Sequence, residues 1–311
     1  MTSTRDTFGA AGHPLPATPG SYGLAPGGAR LPDATRLGPV RLQVADLDRS
    51  LAFYGSALGM RVLQRDGASA YLSAQGDDRP LIELRARPGA TPAGRPARLG
   101  LYHYALLLPD RPALGALVRH LATEDVRFGA GDHLVSEAFY LSDPDGLGIE
   151  VYADRPRSSW RRVGRELMMA TDPVDVDGVL TAAEGLSWTG LAIGTTVGHV
   201  HLHVGDVERA NAFYGDGLGF DRMVWSYPGA AFYGAGGYHH HVGANTWAGP
   251  GARPVGAQDA RLLEWTIELP SATEVAAVAA NISEYGFAPR TEGDDVIVDD
   301  PWGTTVRIVV G

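Results

Sequence analysis

Leu42 and Val44 are apolar and stand either side of a polar Gln43, and the same alternation returns at Leu202 and Val204 around His203. A period of two is that of a half-buried strand. Immediately afterwards the period changes. Leu47, Leu51, Tyr54 and Leu58 recur at i, i+4, i+7 and i+11, one stripe of a helix. Asp46 stands where an N-cap belongs, and Gly59 where a left-handed residue would end the helix.

The pattern is duplicated. "PVRLQVADLDRSLAFYGSALGM" from Pro39 matches "HVHLHVGDVERANAFYGDGLGF" from His199, with Asp46, Phe53, Tyr54 and Gly59 on Asp206, Phe213, Tyr214 and Gly219. Every pair lies 160 residues apart (46 to 206) without a gap, which points to duplication. A fainter pair lies between them. "LGLYHYALLLPDRPALGALVRHL" and "ARLLEWTIELPSATEVAAVAANI" each read as a strand ended by proline and followed by a helix, with Ser271 and Glu274 forming a capping box in the second. They close on a turn and a final strand, "SDPDGLGIEVY" and "DDPWGTTVRIV".

The expected fold is therefore α+β, with four strand–helix–strands modules at about 39–98, 99–153, 197–250 and 260–311. Two modules form a first domain, 35–153, and two a second, 197–311. A linker spans 154–196. Residues 1–34, rich in Gly, Pro, Ala and Thr, read as a flexible tail.

Composition narrows the chemistry. A net charge of −10 leaves no basic stripe for a nucleic-acid backbone. No stretch approaches 18 consecutive apolar residues and the start lacks a signal-type apolar core, so a transmembrane helix is not expected and the cytoplasm is the default location. With no cysteine, disulfides and thiolate ligands are excluded, and a metal must be held by His, Asp or Glu.

The histidines are unevenly spent. Of ten, three fall together in "GGYHHHVGANTW" and three more, His199, His201 and His203, alternate along one strand face. Three imidazoles on one face suit a polar cup better than an apolar core, with Val200, Leu202 and Val204 packing beneath on the other.

From Pro39 to the C-terminus the chain resembles the vicinal oxygen chelate superfamily, whose βαβββ modules pair into cupped mixed sheets around a divalent metal. Its hallmark, strand–Asp-Leu–helix–Phe-Tyr–Leu-Gly, is close to both duplicated segments. Within that superfamily "GLYHYALLLP", "DHLVSEAFYLSDPDGLGIEVYADRP" and "GGYHHHVGANTWAG" are similar to the bacterial catechol 2,3-dioxygenases, four-module extradiol enzymes.

The resemblance implies one metal ligand near the start of a module's first strand, seven residues before the helix-opening Asp, and a carboxylate on a last strand. In module one the strand position is Pro39, which offers no lone pair, and the last strand carries Glu83. Module two offers His103 and Glu150. Module three offers His199. Module four offers Glu264, but Arg307 replaces the carboxylate. His103, Glu150 and His199 remain, the donor set of a facial triad for Fe(II), with Mn(II) as a realistic substitute. These ligands lie on both sides of the linker, so modules two and three are expected to pair with each other, leaving one and four as a second pair.

The resemblance also implies a non-ligand acid–base histidine on the last strand of module three. If that segment is a regular strand, His241 faces the cup and His240 does not, with His240 the alternative if the register shifts. Tyr140, ten residues before Glu150, matches a substrate-side hydroxyl, and His133 matches a further histidine in a loop about two residues longer than expected. The implied function is an extradiol dioxygenase that opens a catechol-type aromatic diol with O₂. A glyoxalase-like lyase or isomerase is the first alternative, needing a further carboxylate such as Glu83 or Glu264. A metal-free antibiotic-binding protein is the second. Whether the chain forms a homo-oligomer is left open.

Overall fold

A computed structural model describes residues 13–94 and 98–311. Its four modules form two eight-stranded sheets, and neither sheet respects the division at the linker. In one sheet the first strand of module three, Thr196–His203, lies antiparallel to the first strand of module two, Gly100–Leu107, with His201 opposite His103. In the other, Arg261–Leu269 of module four lies antiparallel to Arg36–Val44 of module one. Modules two and three therefore pair, as do one and four.

Within each module the last strand runs parallel to the first: Val200 beside Val242, Tyr104 beside Ile149, Val40 beside Ile82 and Glu264 beside Thr305. This pairing brings the carboxylate strand alongside the histidine strand. The alternation works as expected, since Val200, Leu202 and Val204 enter the main apolar core with Leu42, Tyr54 and Ile267 while His199, His201 and His203 take the opposite, concave face.

The caps read from sequence at Asp46 and Ser271 form, and Asp110 and Asp206 cap two further helices. The side chains of Asp46, Asp110, Asp206 and Ser271 each accept from the backbone N–H three residues on. Gly59 and Gly219 are left-handed, with φ of 63° and 93°. The duplicated helices nevertheless differ. Leu47–Ser56 is α-helical, whereas its counterpart makes one α-turn, Val207–Ala210, and widens to a π-helix over Asn211–Gly217.

A matched polar lock joins consecutive modules. Tyr54 donates to Asp143 and Tyr214 to Asp300, both carboxylates lying in the turn before a last strand. Asp143 also accepts from the backbone N–H groups of Asp145 and Leu147, holding the turn that delivers Gly148–Asp154 and hence Glu150.

The expected flexible tail and plain linker are corrected for the described residues. Leu15–Pro16 pairs with Arg161–Val163, which pairs in turn with Glu166–Leu167. Leu31 is buried, its N–H donating to Gly219, and Arg30 is ion-paired to Asp221. Residues 1–12 of the expected tail lie outside the described residues. The linker helix Val176–Ala182 packs on Arg111–Thr123 at Gly115, where an added Cβ would stand 2.2 Å from the Val179 carbonyl. Composition misled here because these segments gain their order by pairing with each other and with distant parts of the chain, which leaves no periodicity in the sequence. Among the described residues no helix is long and apolar enough to cross a membrane.

Candidate metal centre

His103, Glu150 and His199 meet on the concave face of the module two–three sheet. The Nε2 atoms of His103 and His199 stand 2.9 and 3.1 Å from the same oxygen, Glu150 Oε2. All three residues are buried. Neighbouring ligands on a metal bonded at about 2.1 Å are about 3 Å apart, so each imidazole stands at the spacing from Glu150 that two ligands of one ion would take. The hydrogen bonding supports the same reading. Neither ring nitrogen of His103 has a hydrogen-bond partner, nor has His199 Nδ1, although all are buried. Unsatisfied buried nitrogens are costly, and a cation held between the rings and Glu150 would satisfy His103 Nε2.

The protonation states suit ligation. Burial works against the Glu150 charge, but the field of His199 and the close approach of both Nε2 atoms outweigh it and hold the carboxyl well below its ordinary range. Burial lowers both imidazoles, with Glu150 opposing. A carboxylate and two neutral rings are the forms a metal needs.

The surrounding cavity measures about 330 Å³, at the small end for a small-molecule site. Its wall is largely aromatic, with Tyr102, Tyr227, Phe232 and Trp247, and the linker closes it through Met169, Ala170 and Thr171. His133 Nδ1 donates to the Ala170 carbonyl at 2.6 Å. In the neutral ring its Nε2 is then the acceptor, and the Tyr140 hydroxyl donates to it. Burial is the main reason the Tyr140 phenol is raised well above its ordinary range, so it stays protonated. Both expected partners, Tyr140 and His133, are thus at the cavity and joined.

The expected orientation of the triple histidine is corrected. His240, not His241, lines this cavity, its ring centroid 4.1 Å from that of His199. His241 accepts from the Ala235 N–H, packs on Tyr238 and Phe220, and reaches a different cavity between the two sheets. The expectation assumed a regular strand through the triple histidine. In fact the strand is Val242–Asn245, preceded by a loop in which Gly236 and Gly237 are left-handed. His239 and His240 consequently touch, Nδ1 to Nδ1 at 2.7 Å, which neighbours on opposite faces of a strand could not do. Burial lowers His240 well below its ordinary range, and His199 adds to this. Burial also brings His241 down to about 3.

Sequence reasoning passed over Asn245. Its amide donates to His201 Nε2 at 2.9 Å, and its carbonyl oxygen accepts from His203 Nδ1 at 2.7 Å and from the Trp247 N–H. This one side chain holds both His201 and His203. Its position in "VGANTW" beside the triple histidine was the available signal. The Met169–Thr171 wall carried none.

The module one–four sheet has no such centre among its described residues. Arg41 lies between Glu83 and Glu264, at 2.6 and 2.9 Å, and Arg307 and Arg85 complete the pairing. A guanidinium occupies the place between the carboxylates where a cation would sit. Neither acid is free to serve the other sheet as a lyase would require.

The model of the Glyoxalase/Bleomycin resistance protein/Dioxygenase superfamily matches residues 36–151, and that of the bleomycin resistance protein-like N-terminal region matches 196–222. A catechol-2,3-dioxygenase from Bacillus subtilis (strain 168) is 44% identical over 271 residues, covering 86% of this chain and 94% of the relative. Among solved structures, a putative dioxygenase of Bacillus subtilis aligns with a TM-score of 0.61 at 12% identity, over 90% of this chain and 86% of that one. Glyoxalase I from Zea mays aligns with a TM-score of 0.53 at 20% identity, over 89% and 92%. These two show the shared fold. The chain belongs to the glyoxalase/bleomycin resistance protein/dioxygenase superfamily, also called the vicinal oxygen chelate superfamily. The 44% identity, spanning nearly all of both chains, makes it an enzyme of the dioxygenase kind, similar to the Bacillus catechol-2,3-dioxygenase.

Proposed function

We propose that this protein is an extradiol dioxygenase that opens a small catechol with O₂ at Fe(II) held by His103, His199 and Glu150. The observation that carries the reading is the convergence of two buried imidazoles on one carboxylate oxygen at 2.9 and 3.1 Å, with His240 and the Tyr140–His133 pair beside it. An ion held by these three residues would keep coordination positions open for a bidentate diol and O₂. When bound, the iron would supply the electron path between substrate and oxygen that a closed-shell protein lacks.

The remaining work falls to side chains. Two neutral histidines and a carboxylate leave a divalent ion with one net positive charge, which a singly ionised catechol balances. His240, neutral by burial, can accept the second hydroxyl proton and later return it. Tyr140 donates to His133, so its oxygen keeps lone pairs that can accept from a substrate hydroxyl. The aromatic wall supplies apolar area for the ring and excludes water, and it carries no formal charge opposite the site. This favours an uncharged monocyclic catechol.

The test is anaerobic loading with Fe(II) followed by a small panel of catechols in air. Oxygen uptake with a yellow ring-opened product is expected. A protein fully loaded with Fe(II) that neither consumes oxygen nor transforms any catechol would overturn the reading.

A further inference from the structure

Behind His240, away from the cavity, lies a chain of hydrogen bonds that the metal site does not need. Glu150, Tyr152 and Asp154 alternate along the last strand of module two, so the strand that presents the carboxylate ligand also presents Asp154 on the same face. Asp154 Oδ1 is 2.9 Å from His239 Nε2, and His239 Nδ1 is 2.7 Å from His240 Nδ1. His239 is completely buried, with its ring between those of Tyr238, Trp160 and Tyr152 at 4.1, 5.5 and 6.1 Å. Asp154 is anchored in turn by the Tyr238 hydroxyl at 3.3 Å, and Tyr238 is bonded to Tyr152 at 2.7 Å. The surroundings make room for this. An added Cβ at Gly198 would stand 1.8 Å from the Tyr152 hydroxyl oxygen, so a larger residue there would push Tyr152 out.

We infer that His239 and Asp154 are positioning residues whose hydrogen bonds fix the proton of neutral His240 on Nδ1, leaving its Nε2 as the free lone pair. The logic is one of donors and acceptors. An ionised carboxylate can only accept, so His239 Nε2 carries a proton. A neutral ring has a single N–H, so His239 Nδ1 is then an acceptor. The 2.7 Å contact between the two Nδ1 atoms needs one hydrogen, and only His240 can supply it. The arrangement works as a buried aspartate does when it selects the tautomer of a catalytic histidine, here with one more imidazole interposed. It explains why histidine occurs twice in succession. His240 meets the cavity, and His239 transmits the direction of a carboxylate that has no place there.

The inference rests on the reading of His240 as the proton acceptor, but it can be tested without turnover. With ¹⁵N-histidine in the Zn(II)-loaded protein, long-range ¹H–¹⁵N correlation spectra report which nitrogen of each ring is protonated. His240 should show the Nδ1–H form and His239 the Nε2–H form. An Nε2–H form for His240, or a doubly protonated His239, would overturn the inference. Kinetics with the Fe(II) enzyme and catechol give a second check. His239→Leu removes the acceptor and should lower kcat by on the order of 10–100-fold, the usual loss when a hydrogen bond orienting a site residue is removed, with iron content and KM little changed. His239→Asn puts an amide oxygen near the former Nδ1 and should recover most of that loss. Equal defects in both variants, or full kcat in His239→Leu, would count against a positioning role. A wild-type enzyme that never turns over would overturn the dioxygenase reading and leave the tautomer assignment to the spectra.

Discussion

Asp143 is a buried acid whose charge the fold resists, and replacing it with asparagine should change how stability depends on pH. Burial is the largest cause and brings its carboxyl up from 3.8 to about 6, against hydrogen bonds from the Leu147 and Asp145 amides and Tyr54. A raised acid is penalised in the folded state once it ionises. The stability associated with the protonated form is complete below pH 3.8 and is lost as pH rises through 6. The difference of about 2 units corresponds to about 3 kcal/mol in all, at 1.36 kcal/mol per unit. Between pH 4.5 and 7.5, where unfolding is practical to measure, about 2 kcal/mol of it falls. Asp143→Asn keeps the oxygen that accepts from Asp145 and Leu147 and presents an amide to Tyr54, whose hydroxyl can turn and accept. The lowered histidines pull the other way, since neutral buried imidazoles lose stability as pH falls below 6.5. Only the difference between wild type and variant isolates Asp143. Urea unfolding of both proteins at pH 4.5, 6 and 7.5 should show Asp143→Asn gaining about 2 kcal/mol relative to wild type across that range. A difference that stays flat, or that falls with pH, would refute the burial argument.

Three further outcomes are expected. His103→Ala, His199→Ala and Glu150→Ala should each lose most bound iron, by elemental analysis, while circular dichroism stays that of the wild type. Retention of full iron by any one removes that residue from the ligand set. His240→Gln should keep iron and lower kcat by on the order of 10²–10⁴, whereas His241→Gln, outside the cavity, should do much less, and steady-state kinetics will rank them. Arg41→Met removes the guanidinium that Glu83 and Glu264 share but leaves Arg85 on one and Arg307 on the other, and should cost about 2 kcal/mol in urea unfolding without altering iron content.

Much of this was legible because it depends on local rules. The 160-residue repeat, the capping aspartates and the left-handed glycines follow from short-range geometry, and the structure shows each. The face shared by His199, His201 and His203 follows from strand alternation alone. The family resemblance implies His103, Glu150 and His199 by their positions within a module, and their meeting requires only that modules two and three share a sheet. Other features depended on contacts between distant segments. The triple histidine reads as a strand by composition. Two left-handed glycines and the pairing of His241 with Tyr233 and Val200 start the strand later and turn His240 toward His199. Residues 13–34 and 154–196 carry no periodicity, because the partners that order them lie elsewhere in the chain. Met169, Ala170 and Thr171 reach the cavity only once that pairing exists. Periodicity and capping are properties of neighbouring residues and can be read along the chain. A cavity wall and the direction of a loop side chain are set by which distant surfaces pack together, and only the tertiary structure decides them.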